Sequence, residues 1–117
     1  MSPATSVTIT SLSQGVHRDN VEKGFYDTPK EEVDRLSTFV ANVHGETSEL
    51  WEAVRKGTLR EPCDKNCGLT NMEEEMADII IRVLDTAGFF GLDIGEAIRK
   101  KLEYNRTRPR RHGGKLA

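Results

Sequence analysis

Apolar positions along this chain recur at helical spacing, and strand-like alternation is confined to the short stretch Val7-Thr8-Ile9. The clearest band lies in residues 29–56. At 100° per residue, Val33, Leu36, Phe39, Val40, Val43, Leu50, Trp51 and Val54 share an arc about 120° wide, which predicts one buried face with Trp51 in it. Pro29 suits the first helical position, and Gly57 after Arg55 and Lys56 suits the end. Residues 71–90 carry Met76, Ile79, Ile80, Val83, Leu84, Ala87 and Phe90 towards a core, and Thr70 three places before Glu73 predicts a capping box. Residues 93–107 start behind Asp93 as N-cap and stop before Pro109. A weaker helix is expected over residues 12–25, interrupted by Gly15 and Gly24 and closed by Asp27-Thr28-Pro29. A polar loop, residues 58–69, holds Pro62, Gly68 and both cysteines. The pattern predicts an all-α, antiparallel helical bundle of about four helices in one domain, residues 1–117, with a basic tail from about residue 109 expected to be mobile.

Composition modifies this picture in two ways. Hydrophobic residues are 36% of the 117, below the usual share of about 45–50%, so the core is expected to be completed by a second copy, in a homodimer or homotetramer. Residues 99–115 hold eight Lys or Arg and one acid, Glu103, a net +7, while the remainder holds nine basic and eighteen acidic side chains, a net −9. No apolar run reaches the roughly 20 residues of a membrane helix, and the opening residues lack the basic and apolar regions of a secretory signal. Cys63 and Cys67 are too few for a disulfide scaffold. The expectation is a cytoplasmic protein without a membrane partner.

Candidate chemistry sits in two acidic pairs. Glu46 and Glu49 are three apart on one helix, and Glu75 and Asp78 are three apart on the next, so each pair projects side by side. If the two helices pack antiparallel, four carboxylates converge and repel unless a cation intervenes. Mg²⁺ takes oxygen ligands and shares them with substrate phosphates. The bland alternative is a solvated face, since Glu75, Asp78, Arg82 and Asp85 occupy one narrow polar band.

The run His44-Gly45-Glu46-Thr47-Ser48-Glu49-Leu50, followed by Glu75-Met76-Ala77-Asp78-Ile79-Ile80, resembles the ExxE…ExxD pattern of the MazG-like all-α nucleotide pyrophosphohydrolases. Val21-Glu22-Lys23-Gly24-Phe25-Tyr26 and Glu103-Tyr104-Asn105-Arg106-Thr107-Arg108-Pro109 extend the similarity in register, over about residues 16–115. The family pattern often opens with two adjacent acids, whereas here Gly45 precedes Glu46.

The resemblance implies hydrolysis of a nucleoside triphosphate to the monophosphate and pyrophosphate with Mg²⁺, for which Mn²⁺ can substitute. It implies metal ligation by Glu46, Glu49, Glu75 and Asp78, with Glu46 as the candidate that activates water, and phosphate contact by Lys101, Asn105 and Arg108. Those last three fall within about 60° on a helix, although cations also simply favour a helix C-terminus. The chain has no GxxxxGK[ST] loop, which closes the P-loop route. Phe25 and Tyr26 are candidates for either a base pocket or the core. A non-catalytic helical interaction module is the competing reading. Nucleic-acid binding through the basic end is disfavoured by the acidic body and by the lack of a reading motif.

Overall fold

The computed structural model describes residues 1–116, His112 by its backbone only. The elements in order are α1 Pro3–Glu22, α2 Glu32–Lys56, α3 Asn71–Phe89, α4 Ile94–Thr107 and the single turn α5 Arg111–Gly114. Among the described residues there is no strand, only an isolated antiparallel bridge between Pro62 and Thr70. The all-α expectation holds.

The helix ends follow local chemistry. Thr70 Oγ1 accepts from the Glu73 N–H at 3.2 Å while the Glu73 carboxylate accepts from the Thr70 N–H at 3.0 Å, completing the predicted capping box. Asp93 Oδ1 accepts from the Glu96 N–H at 3.2 Å, and Gly57 closes α2 in the left-handed region at φ 69°. Helix α2 begins at Glu32, not Pro29. The preceding turn is fastened by the Arg35 guanidinium, which donates to the Thr28 carbonyl at 3.3 Å.

The first helix differs most from expectation. It starts at Pro3 rather than near residue 12, ends at Glu22, and absorbs Val7-Thr8-Ile9. Ser2 caps it by accepting from the Thr5 N–H, and Pro3 occupies the first turn, where its missing N–H costs nothing. The hydroxyls of Ser6 and Thr8 donate back to the carbonyls of Pro3 and Ala4, at 2.8 and 3.0 Å, so these residues are satisfied within the helix.

Helix α3 packs against both α1 and α2, and α4 packs on α1. Contact of Glu46 with Arg82, and of Glu49 with Glu75, fixes α2 and α3 as antiparallel. The α1 side is tight. Ser13 is fully buried and donates to the Leu84 carbonyl at 2.5 Å, Thr10 donates to Asp93 at 2.6 Å, and Gly95 lies against the backbone of Ser6.

The expected apolar core is only partly formed within one chain. Leu84 and Ala87 are buried, as are Ala53 and Cys63. By contrast Val33 is 67% exposed, Trp51 60% and Ile80 56%, with Leu36, Val40, Val54 and Met76 also open. The band on α2 therefore points largely away from α3, because that seam is occupied by acids. The chain exposes 8634 Å², whereas a compact monomer of this mass exposes about 6400 Å². Its radius of gyration is 16.6 Å against about 13 Å for a compact chain of this length.

Candidate functional site

The antiparallel seam between α2 and α3 turns two i,i+3 spacings into one cluster. One carboxylate oxygen each from Glu46, Glu75 and Asp78 lies within 4.8 Å of the others, and all three residues are half-buried. Glu49 stands beside Glu75, on the more exposed rim. Burial pushes the Glu75 carboxyl up to about 7, with Glu49 as the next cause and the charges of Glu74 and Asp78 after it. Asp78 is also raised, by burial first and then by Glu46 and Glu74. Glu75 Oε2 is buried and makes no hydrogen bond. Clustered oxygens, raised carboxyls and an orphaned acceptor suit a small, hard cation, for which an oxygen-only set is the proper ligand type.

Two basic side chains border the cluster. Arg82, one turn beyond Asp78 on α3, reaches Glu46 Oε1 with Nη2 at 3.1 Å and Nε at 3.3 Å. Lys65, from the loop between the cysteines, pairs with Glu74, which is nearly buried. That pairing holds the Lys65 ammonium well above its ordinary range. Glu74 supplies a further negative charge against both Glu75 and Asp78 that the motif spacing does not reveal. Its signal in the sequence is its place four residues before Asp78, on the same helical face.

The cluster opens into a cavity of about 540 Å³, where Glu46 and Asp78 share the wall with Arg82, Asp85, Lys30 and Arg35. The far end is aromatic. Tyr26 stacks on Phe89 at 5.2 Å and 13°, and the Arg35 guanidinium lies 4.7 and 4.5 Å from the two ring centres. Asp85 fastens this end, 3.0 Å from His17 Nδ1. Burial, and next the adjacent Asp85 carboxylate, hold the Tyr26 phenol well above its ordinary range. Phe25 lines the mouth and is largely exposed. Asn20, Thr38 and Asn42 add neutral hydrogen-bonding groups to the lining. Carboxylates, cations and flat rings in one lining fit a small ligand that carries both charge and a planar group. Arg35 and Lys30 carry no motif, and only the fold brings them to the wall.

Lys101, Asn105 and Arg108 do not line this cavity. They lie on or just beyond α4, with Lys101 Nζ 4.7 Å and Arg108 Cζ 5.9 Å from the centre of the Tyr104 ring. Cys63 and Cys67 bring their sulfurs within 2.9 Å, and no third candidate ligand joins them among the described residues. No described helix is long and apolar enough to cross a membrane.

No curated protein and no solved structure gives a significant match. The family model described as "MazG nucleotide pyrophosphohydrolase domain" matches residues 35–112, a span that contains all four motif carboxylates and most of α2, α3 and α4. The chain belongs to the MazG nucleotide pyrophosphohydrolase family.

Proposed function

We propose that this protein hydrolyses a nucleoside triphosphate to the monophosphate and pyrophosphate in a Mg²⁺-dependent reaction, with Mn²⁺ able to substitute. The carrying observation is the convergence of Glu46, Glu75 and Asp78 across the α2–α3 seam, with the unpartnered Glu75 Oε2 among them. Glu46, Glu49, Glu75 and Asp78 would hold the cation. Its chemistry would be to neutralise phosphate oxygens and make a bound water more acidic.

The chain's own groups supply the rest. The Glu46 carboxylate has two oxygens, one to share in holding the cation and one to orient the attacking water, the role assigned to Glu46. Phe25, Tyr26 and the Arg35 guanidinium line the cavity and offer planar surfaces for a base. Lys101, Asn105 and Arg108 remain assigned to the phosphates. Because they lie off this cavity within one chain, that role falls to a neighbouring copy. The exposed surface exceeds the compact value by about 2000 Å², within reach of what an obligate dimer buries. The open Val33, Leu36 and Val40 groove on α2 is its natural seat.

The test is a screen of ribo- and deoxynucleoside triphosphates with Mg²⁺, then with chelator, products separated by chromatography. Pyrophosphate release that stops on chelation is expected, and Glu49→Gln or Asp78→Asn should abolish it while circular dichroism stays unchanged. The exposed apolar band also favours a second reading, a helical interaction module without catalysis. Metal-dependent release of pyrophosphate eliminates that alternative, and full turnover in either variant removes the metal assignment.

A further inference from the structure

We infer that Arg82 is an exchangeable counter-cation, which holds Glu46 while no metal is bound and turns to the substrate's phosphates once one is. The inference rests on the functional reading above and adds a residue that the motif does not contain. Three observations carry it. Both Nε and Nη2 of Arg82 approach the same Glu46 oxygen, at 3.3 and 3.1 Å. The pair is lopsided, with the Glu46 side chain 13% exposed and the Arg82 side chain 45% exposed. Arg82 also lines the cavity beside Glu46 and Asp78, so its free side already faces the space a ligand would fill.

Cation and guanidinium compete for Glu46, and the guanidinium is the one released. In the metal-free chain the guanidinium is the nearest positive charge to Glu46, and it relieves part of the crowding among Glu46, Glu75 and Asp78. A divalent cation drawn to those oxygens neutralises Glu46 and repels Arg82, so the ion pair loses its reason to persist. Arg82 keeps its charge, because a guanidinium does not deprotonate in a protein. Its planar fork suits phosphate oxygens. Cation and polyphosphate therefore help one another to bind through this side chain, and the coupling is reciprocal.

Removing Arg82 should act in opposite directions on the two ligands, which a merely structural role would not do. Titration calorimetry of the full chain with Mn²⁺ alone should show Arg82→Ala binding the ion about 2- to 5-fold more tightly, the worth of losing an exposed competing ion pair. With Mn²⁺ saturating, inorganic triphosphate should bind the variant about 10-fold or more weakly, the worth of a hydrogen bond to a charged group. Arg82→Lys, which keeps the charge without the fork, should lie between for triphosphate and near wild type for Mn²⁺. It also stands in if the alanine variant folds poorly. If both ligands weaken, or if neither changes while wild type binds Mn²⁺, this inference is overturned and the functional reading stands. A wild-type chain that takes up no Mn²⁺ overturns both.

Discussion

Helix α3 has α1 on one flank and α2 on the other, and the two contacts are built from opposite materials. On the α1 side, small residues bring backbones together, and an added Cβ at Gly88 would lie 2.7 Å from the Cβ of His17. The same closeness continues from α1 to α4, where a Cβ at Gly95 would lie 1.7 Å from the Ser6 carbonyl oxygen. On the α2 side, carboxylates face one another and a cavity of about 540 Å³ remains. Close packing without voids is what makes a helix pair stiff, so the α1–α3–α4 unit serves as the frame. The acid-lined seam is the part left to respond to a ligand.

The largest effect should come from breaking the frame. Gly95→Ala places a methyl group where backbone already stands, and backbone cannot swing aside as a flexible side chain can. Overpacking of this kind costs about 3 kcal/mol, offset by about 1 kcal/mol regained from helix propensity. Thermal unfolding followed by circular dichroism should show the midpoint falling by about 10 °C. An unchanged midpoint would mean that α1 and α4 do not approach so closely.

On the other seam a conservative change should act in the stabilising direction. Glu75 has its carboxyl raised from 4.5 to about 7 in the folded chain, so the folded state binds this proton more tightly than the unfolded one. Its contribution is therefore most favourable below pH 4.5, is lost as pH rises towards 7, and stays level above that. Glu75→Gln removes the loss. In chelator the variant should match wild type near pH 4 and exceed it near pH 8, by about 1 kcal/mol once solvent screening is allowed for. Midpoints measured across that pH range check the sign. A variant weaker than wild type at pH 8 would show that the seam is not strained by charge.

What the sequence disclosed follows the same division. The α2–α3 side was legible because its signals are local: the two i,i+3 acidic pairs, the Thr70–Glu73 box and Gly57 act within one helix turn. The start of α1 was not, because its buried positions are Ser6 and Ser13, which carry no apolar periodicity, and because Val7-Thr8-Ile9 has strand propensity that the helical contacts of α1 override. Trp51 was misplaced for another reason. Periodicity shows that a helix has an apolar face without saying whether the same chain covers it, and here most of that face is open. Glu74 sits in the plain acidic run Glu73-Glu74-Glu75 and Arg82 is a lone charge between Ile81 and Val83, so only the packing of α2 and of the residue 58–69 loop onto α3 distinguishes them from surface charges.

The smallest expected effect is the sharpest comparison with Gly95. Gly45 also lies within a helix, immediately before Glu46, yet a Cβ there meets nothing within 4 Å. Gly45→Ala therefore has no steric cost and removes backbone freedom from the unfolded chain, for a gain of about 0.5–1 kcal/mol. Its melting midpoint should rise by a few degrees at low protein concentration, against the fall expected for the same substitution at Gly95. Concentration then adds a second readout. If a neighbouring copy seats against this stretch of α2, the gain should shrink as protein concentration rises, because the new methyl group would meet the other chain. A gain that stays constant over that range agrees with a contact confined to the Val33, Leu36 and Val40 face, which lies across α2 from Gly45.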